Sequence, residues 1–197
     1  MTILKAFLQN TDMKEISLHI LDIMQNSVVA EATLVELTVT EDADSDILKF
    51  TVKDNGRGMS EEFLKNVIDP FTTSRTTRKV GMGIPLLKLA AEKTGGRIEI
   101  SSVIGQGTEI TAVFGLSHID RQPLGDMAET ILGIVTSYTE VDFVYKHNIN
   151  GREFILDTRE IKEILGGVSL KEPEIVLWLK EFLYENERGL ISPLEGE

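Results

Sequence analysis

Residues 47–58, Ile-Leu-Lys-Phe-Thr-Val-Lys-Asp-Asn-Gly-Arg-Gly, are the stretch that decides the fold. Leu48, Phe50 and Val52 alternate with polar residues, which predicts a strand with one buried face. Asp54 continues this alternation, so the pattern directs a carboxylate toward the apolar interior. A buried carboxylate is costly unless a hydrogen-bond donor meets it, and an adenine amino group is one candidate. The alternative is a strand that ends in an ordinary Asp-Asn-Gly turn.

Two glycines directly after this strand allow a sharp turn. Gly56 and Gly58 let the backbone approach a flat ligand closely, and Met59 follows them. We expect a loop to begin at Gly56.

The flanking segments predict an alternation of helices and strands. Upstream, a helix starts near Lys14, and strict alternation predicts a strand over 34–40. Downstream, the pattern becomes helical from Gly81, and two further strands follow over 97–102 and 108–115. The predicted order is therefore helix, two strands, loop, helix and two strands.

Two polar residues of the first helix project from one face. Asp22 and Asn26 are four residues apart, which brings their side chains together. An amide oxygen suits Mg²⁺, and a carboxylate beside it can orient or deprotonate an attacking hydroxyl or water. Asn26 is the candidate metal ligand and Asp22 the candidate catalytic residue. A solvated polar face is the alternative for this pair alone.

Glycines and hydroxyls before the second helix suit a phosphate. In residues 79–84, glycines stand directly before and at a helix N-terminus. The N–H groups and the dipole of such a terminus favour an anion. Residues 72–79 add hydroxyls and three positive charges, which suits a lid over a polyphosphate, although a polar loop is the alternative. Thr108 shares the alternation of Ile110, so we expect its hydroxyl to face inward; a hairpin turn with a satisfied threonine is the alternative.

These features resemble, in order, the motifs of the Bergerat-fold (GHKL) ATP-binding family, which includes histidine kinases, gyrase and MutL. The resemblance runs from about Lys14 to Leu116. The N-box corresponds to 22–26, the first glycine box to 54–59, the phenylalanine box of histidine kinases to 70–74, the second glycine box to 81–84 and the last glycine box to 107–108.

The resemblance implies an α+β two-layer sandwich, in which helices cover one face of a mixed sheet, and a site for ATP and Mg²⁺. It implies that Asn26 binds Mg²⁺ and that Asp54 binds the adenine amine. The ATP-binding candidates are Asn26, Ala30, Asp54, Gly56, Gly58, Met59, Thr72, Thr73, Ser74, Arg75, Lys79, Val80, Gly81, Met82, Gly83, Ile84 and Thr108.

Departures from the family pattern bear on the activity. Lys79 stands where the second glycine box usually has its first glycine. The phosphoacceptor histidine of a histidine kinase is usually followed by an acidic residue, whereas Ile20, Ile119 and Asn148 follow the three histidines here. Few residues precede the first helix, so we do not expect a dimerisation helix pair or self-contained autophosphorylation on histidine.

The predicted function is Mg-ATP binding by a stand-alone protein kinase that phosphorylates or regulates a separate partner, on Ser/Thr or His, with Asp22 as base or orienting group. One alternative is an ATP-dependent conformational switch with slow ATPase activity. Another is a degenerate nucleotide-binding scaffold, because the related enzymes usually have Glu at the place of Asp22.

Residues 119–197 predict a small αββαα extension after an ATP-binding domain over 1–118. Its two strands flank Asn150-Gly151, a hairpin signal. The role of the extension is open, and a homodimer is possible.

Composition limits the partners. The formal net charge is −12, and no cluster of Lys and Arg forms a basic stripe, so we expect neither nucleic acid nor a membrane as partner. The sequence shows no signal-peptide pattern and no run approaching ~20 apolar residues. We therefore expect a cytoplasmic protein. The lack of cysteine excludes disulfides and cysteine-ligated zinc.

Overall fold

One mixed sheet organises the computed structural model, which describes residues 14–68 and 83–191. The strand order is β3-β4-β2-β1-β5-β6, with β1 and β5 parallel and the other neighbours antiparallel. The strands are β1 (Leu34–Asp42), β2 (Ile47–Asp54), β3 (Arg97–Val103), β4 (Gly107–Gly115), β5 (Asp142–Ile149) and β6 (Arg152–Asp157). The helices are α1 (Ile16–Val29), α2 (Glu61–Ile68), α3 (Gly83–Glu92), α4 (Met127–Ser137), α5 (Thr158–Leu165) and α6 (Pro173–Ile191).

The hydrophobic core lies between the sheet and a layer of helices. Alternate residues of the strands are buried, and α1, α3, α4 and α6 supply buried residues to the same core. Each fully buried aliphatic or aromatic side chain stabilises the fold by about 1.5–3 kcal/mol. The predicted two-layer α+β sandwich is therefore confirmed. The buried strand residues include Val35, Leu37, Val39, Leu48, Phe50, Val52, Ile110, Ala112, Phe114, Phe143 and Tyr145.

The C-terminal extension continues this sheet. Strand β5 pairs with β1 from Leu34 opposite Asp142 to Glu41 opposite Ile149, and β6 pairs with β5. The αββαα order and the hairpin are confirmed, since Asn150 and Gly151 have φ of 50° and 84°, as a type I′ turn requires. Residues after 118 thus share a sheet and a core with those before it.

Helix α2 was not expected, because the glycines predicted a loop from Gly56. The loop ends at Ser60, whose Oγ accepts a hydrogen bond of 3.2 Å from Phe63 N. Glu61 and Glu62 stand in the first turn, where their charges favour the helix dipole. The helix is short, so its apolar period was too brief to stand out beside the turn signals.

A buried polar cluster joins α6 to the extended part of the sheet. Tyr145 Oη donates to Glu187 Oε1 at 2.8 Å. The His147 ring is 2.9 Å from Glu187 Oε2 through Nδ1 and 3.3 Å from Glu41 Oε1 through Nε2. Burial lowers the pKa of His147, but the hydrogen bonds and charges of Glu187 and Glu41 outweigh this effect and raise the pKa to about 9. His147 therefore carries a charge at neutral pH and donates to both carboxylates.

We expect this cluster to make stability depend on pH. Because the pKa of His147 is about 9 in the folded chain and 6.5 in the reference state, its contribution is complete below pH 6.5 and is lost as the pH rises through 9. The loss amounts to roughly 3 kcal/mol. Urea unfolding at pH 6 and above pH 9 measures it. His147→Gln should flatten this dependence, whereas His118→Gln, at an exposed position, should keep it.

Within residues 14–68 and 83–191, no helix combines the length and apolar character that a membrane span requires.

Candidate nucleotide-binding site

Asp54 lies at the end of β2 with its carboxylate turned toward α1, as the alternation predicted. Ser27 Oγ donates to Oδ2 at 2.7 Å. The backbone N–H groups of Gly56 and Thr108 donate to Oδ1 at 2.8 and 3.2 Å. An ionised carboxylate has about four acceptor positions, so Asp54 can accept a further donor from a ligand. The three protein donors fix the orientation in which it does so.

The glycine turn after Asp54 is closely packed against two other segments. Gly58 has a φ of 65°, and a Cβ there would lie 2.0 Å from the carbonyl oxygen of Val103. A Cβ on Gly56 would lie 2.7 Å from the carbonyl oxygen of Ala30, which accepts a hydrogen bond from Arg57 N at 2.9 Å. Only glycine fits these two positions without a shift of backbone. Ala30 therefore contributes to the site by holding this turn.

A pair of hydroxyls joins β3 and β4 beside the turn. Ser102 Oγ accepts from Met59 N at 2.8 Å, donates to the carbonyl of Gly107 at 3.0 Å, and lies 2.8 Å from Thr108 Oγ1. Since Ser102 has one hydroxyl proton, Thr108 is the donor when Ser102 donates to Gly107. The predicted inward direction of the Thr108 hydroxyl is confirmed.

The candidate catalytic pair lies where α1 meets the start of α3. Asn26 Nδ2 donates to Asp22 Oδ2 at 3.3 Å, so the two side chains share a face as predicted. A Cβ on Gly83, the first residue of α3, would lie 1.9 Å from Asp22 Oδ2. A carboxylate, an amide side chain and a helix N-terminus thus converge here. Ile84 follows and packs against the core.

The oxygen atoms of this site suit a Mg²⁺ ion that is bound together with a nucleotide. The ion takes one or two protein oxygens and completes its shell with phosphates and waters. Because the Nδ2–H of Asn26 donates a hydrogen bond to Asp22, the remaining amide oxygen, Oδ1, is the hard ligand that would bind Mg²⁺. In the part of the chain that the structure describes, no group of three or more His, Cys, Asp or Glu residues could hold a metal ion alone.

Eight predicted residues lie outside the described part of the chain, so their roles stay predictions. They are Thr72, Thr73, Ser74, Arg75, Lys79, Val80, Gly81 and Met82.

Two serines in the site were not among the predicted residues. Ser27 is 3 % exposed and holds Asp54, and Ser102 connects Met59 to Thr108. In the sequence, each serine could have been found as a small polar residue on the inward face of its helix or strand. Ser27 follows Ile23 by one helical turn, and Ser102 continues the inward side of β3.

The fold and the site together define a nucleotide-binding protein of the ATPase type. The family described as histidine kinase-, DNA gyrase B- and HSP90-like ATPase matches residues 11–118, which is more than half of the chain. The chain belongs to this family, whose members share an ATP-binding domain.

Relatives of known name match the same region. The chain is 32% identical over 111 residues to the sensor histidine kinase YxdK of Bacillus subtilis, covering 53% of this chain and 34% of that protein. It is 28% identical over 111 residues to a putative sensor protein of Shewanella frigidimarina, covering 55% and 17%. The match thus spans about a third or less of these relatives.

Among solved structures, the N-terminal domain of a DNA repair protein has a TM-score of 0.53 at 11% identity, covering 77% of this chain and 54% of that one. At this identity the likeness concerns the fold alone. Its coverage exceeds the share of residues 1–118, so it extends into the αββαα extension.

Proposed function

We propose that this chain binds Mg-ATP and transfers the γ-phosphoryl group to a hydroxyl of a separate partner protein. The observation that supports this proposal best is the position of Asp22, whose carboxylate lies against Gly83 at the N-terminus of α3 and accepts a hydrogen bond from Asn26. A carboxylate beside a phosphate-binding helix terminus can serve the nucleophile of phosphoryl transfer.

The two ends of the site bind different parts of the nucleotide. Asp54 accepts the adenine amine, since the bonds from Ser27 and Gly56 leave it further acceptor capacity. The N–H groups of the first turn of α3 favour the phosphates. Asn26 supplies the protein oxygen for Mg²⁺, which would neutralise phosphate charge when bound.

Asp22 acts on the acceptor during transfer. The acceptor hydroxyl forms a bond to the γ-phosphorus as the bond to the β,γ-bridging oxygen of ATP breaks. Asp22 takes the hydroxyl proton, and ADP leaves. A serine or threonine hydroxyl must lose a proton in this reaction, whereas a neutral imidazole attacks through a lone pair. The position of Asp22 therefore favours Ser/Thr over His as acceptor.

The names of matched proteins also support a kinase function. Two matched proteins are named as sensor kinases, but the match covers only 23% and 34% of their length. Transfer to a separate partner rests on the lack of an acidic residue after each histidine of this chain.

We expect Asp22→Asn to lower turnover while ATP affinity stays within a few-fold of the parent. Removing a general base typically lowers a rate by about 10²–10⁴-fold. ADP release, with water as acceptor, and γ-labelled phosphate transfer to proteins of the source cell measure turnover, and calorimetry measures ATP affinity. Asp22→Glu is the control, because the longer carboxylate retains the base and should keep turnover.

Two outcomes would decide against this proposal. Tight Mg-ATP binding by the parent without ADP release or any phosphoprotein would leave a nucleotide-binding scaffold. A phosphoprotein that loses its label in mild acid would identify a histidine acceptor instead of a hydroxyl.

Deletion of residues 119–197 is a poor test of the alternative, an ATP-dependent conformational switch. The deletion removes β5 from its pairing with β1 and exposes the shared core.

A further inference from the structure

An exposed surface at the far edge of the sheet has no role in the nucleotide site. It consists of strand β6 and one flank of α6, formed by Glu174, Trp178, Glu181 and Glu185, and is called the β6 edge surface below. Strand β6 is last in the sheet order and, among the described strands, pairs only with β5. One side of its backbone therefore presents N–H and C=O groups that no described strand satisfies.

An aromatic row runs from the core to this edge. Phe182 packs edge-on against Phe154 of β6, with ring centroids 5.7 Å apart. Trp178 stacks on Phe182 at 5.2 Å and is 46% exposed. Ile155 of β6 is also half exposed. Because Ile155 lies on the sheet face opposite Phe154, each face of this edge offers one exposed apolar side chain beside β6.

The α6 flank beside this row is acidic. Glu174, Trp178, Glu181 and Glu185 follow one another at intervals of three and four residues, which aligns them on one side of the helix. All four are exposed, and none of the ion pairs found among the described residues includes these three glutamates.

Two cations of α6 pack around Tyr184. Lys180 is 3.9 Å from Glu129 of α4 and 5.8 Å from the centroid of the Tyr184 ring. Arg188 lies 6.0 Å from the same centroid. Arg188 follows Glu185 by three residues and adds one positive charge at the end of the row, so the three glutamates still leave this surface with a net negative charge.

We propose that the β6 edge surface binds an extended basic segment of a partner protein, which adds to β6 as a seventh strand. Strand addition satisfies the open backbone groups, and alternate side chains then contact the neighbouring surface. Ile155 points to the sheet face opposite Phe154, so apolar residues of the added strand cover Ile155 on that face. Its Arg or Lys side chains lie on the α6 face, where they pair with the glutamates and where Arg can also lie over the Trp178 ring.

A basic partner fits better than a second copy of this chain. The chain has a net charge of −12, and pairing this acidic surface with itself would bring like charges together. Proline, one of the residues that protect an exposed edge from strand addition, is absent from the β6 sequence Arg-Glu-Phe-Ile-Leu-Asp. This proposal does not depend on ATP chemistry, so it can fail or hold independently of the kinase proposal.

A tryptophan-free peptide of about eight alternating Val and Arg residues tests the proposal with the full chain and no nucleotide. Trp178 is the only tryptophan, so its fluorescence reports from the β6 edge surface itself. We expect a saturable change in Trp178 emission that weakens with salt. Replacing Arg with Glu in the peptide should abolish the change.

Two N-methylated forms of the peptide, with alternate amides blocked in either register, distinguish strand addition from other binding. One form should bind like the parent peptide and the other should not, because only one set of N–H groups faces β6. Equal binding of both forms would overturn the proposal, as would no response at about millimolar peptide, a range in which even weak binding registers.

Matched protein variants test the charge. Glu181→Lys with Glu185→Lys should weaken peptide binding about tenfold at low salt, because two attractive pairs become repulsive. Glu160→Lys with Glu163→Lys, at exposed positions of α5, should leave it unchanged. Equal effects of the two double variants, or a chain that self-associates and buries Trp178 without peptide, would contradict the proposal.

Discussion

Asp54→Ala is expected to weaken Mg-ATP binding about 10- to 100-fold. The substitution removes the acceptor proposed for the adenine amine. It also leaves the Ser27 hydroxyl and the N–H groups of Gly56 and Thr108 without the carboxylate that they share. Losing a charged hydrogen bond at a partly buried site costs about 1.5–3 kcal/mol, and each 1.4 kcal/mol is a factor of ten in affinity. Titration calorimetry with Mg-ATP measures the loss.

Two controls separate recognition from folding. Glu109→Ala removes a carboxylate next to Thr108 in sequence but on the exposed face of β4, so its ATP affinity should match the parent. Asp54→Asn keeps an acceptor oxygen and loses the charge, so it should bind ATP with intermediate affinity. Urea unfolding shows whether each variant is folded at the temperature of the titration. A folded Asp54→Ala chain that binds Mg-ATP as tightly as the parent would remove the basis of the site assignment.

The sequence predicted the parts of this site that follow from local periodicity. Alternation along β2 and β4 turned Asp54 and Thr108 inward, and the structure places them as direct partners in the antiparallel register. Helical spacing placed Asp22 and Asn26 on one face. These predictions needed only the period of one element each.

What the sequence could not predict depends on distances between elements. The hydrogen bond from Ser27 to Asp54 joins residues that are 27 positions apart, and nothing in the helix pattern specifies which strand its small residues meet. The parallel pairing of β5 with β1 likewise joins segments about a hundred residues apart. The central position of β1 between β2 and β5 follows from this pairing, whereas the sequence suggested only a separate extension.

The sequence also could not predict the buried charge of His147. The sequence shows His147 only as a histidine without the acidic neighbour of a phosphoacceptor, because its alternation with Tyr145 and Phe143 gives no sign of Glu187 on α6 or Glu41 on β1. The role of the β5–α6 contact in fixing its charge becomes visible only in three dimensions.

Gly58→Ala is expected to destabilise the chain and abolish ATP binding, because the residue has a positive φ and no room for a Cβ. A φ of 65° costs alanine about 1–2 kcal/mol. The added methyl group would also lie 2.0 Å from the Val103 carbonyl oxygen, which belongs to backbone and cannot rotate away. Overpacking of this kind costs about 1–3 kcal/mol more. Urea unfolding and titration calorimetry measure the two effects.

Gly105→Ala is the matched control, because it separates the backbone strain from the collision. Gly105 has a φ of 76°, and a Cβ there meets nothing within 4 Å. It lies in the same region, since its N–H donates to the Arg57 carbonyl at 2.8 Å. Gly105→Ala should therefore lose only the cost of the positive φ and keep its ATP affinity. If the two alanines lowered the free energy of unfolding equally, strain would account for both and the close approach of Gly58 to β3 would have no energetic role. If Gly58→Ala alone lost ATP binding, the contact that positions Met59 and Asp54 would be the determinant, because the turn could not form beside Val103 without moving them.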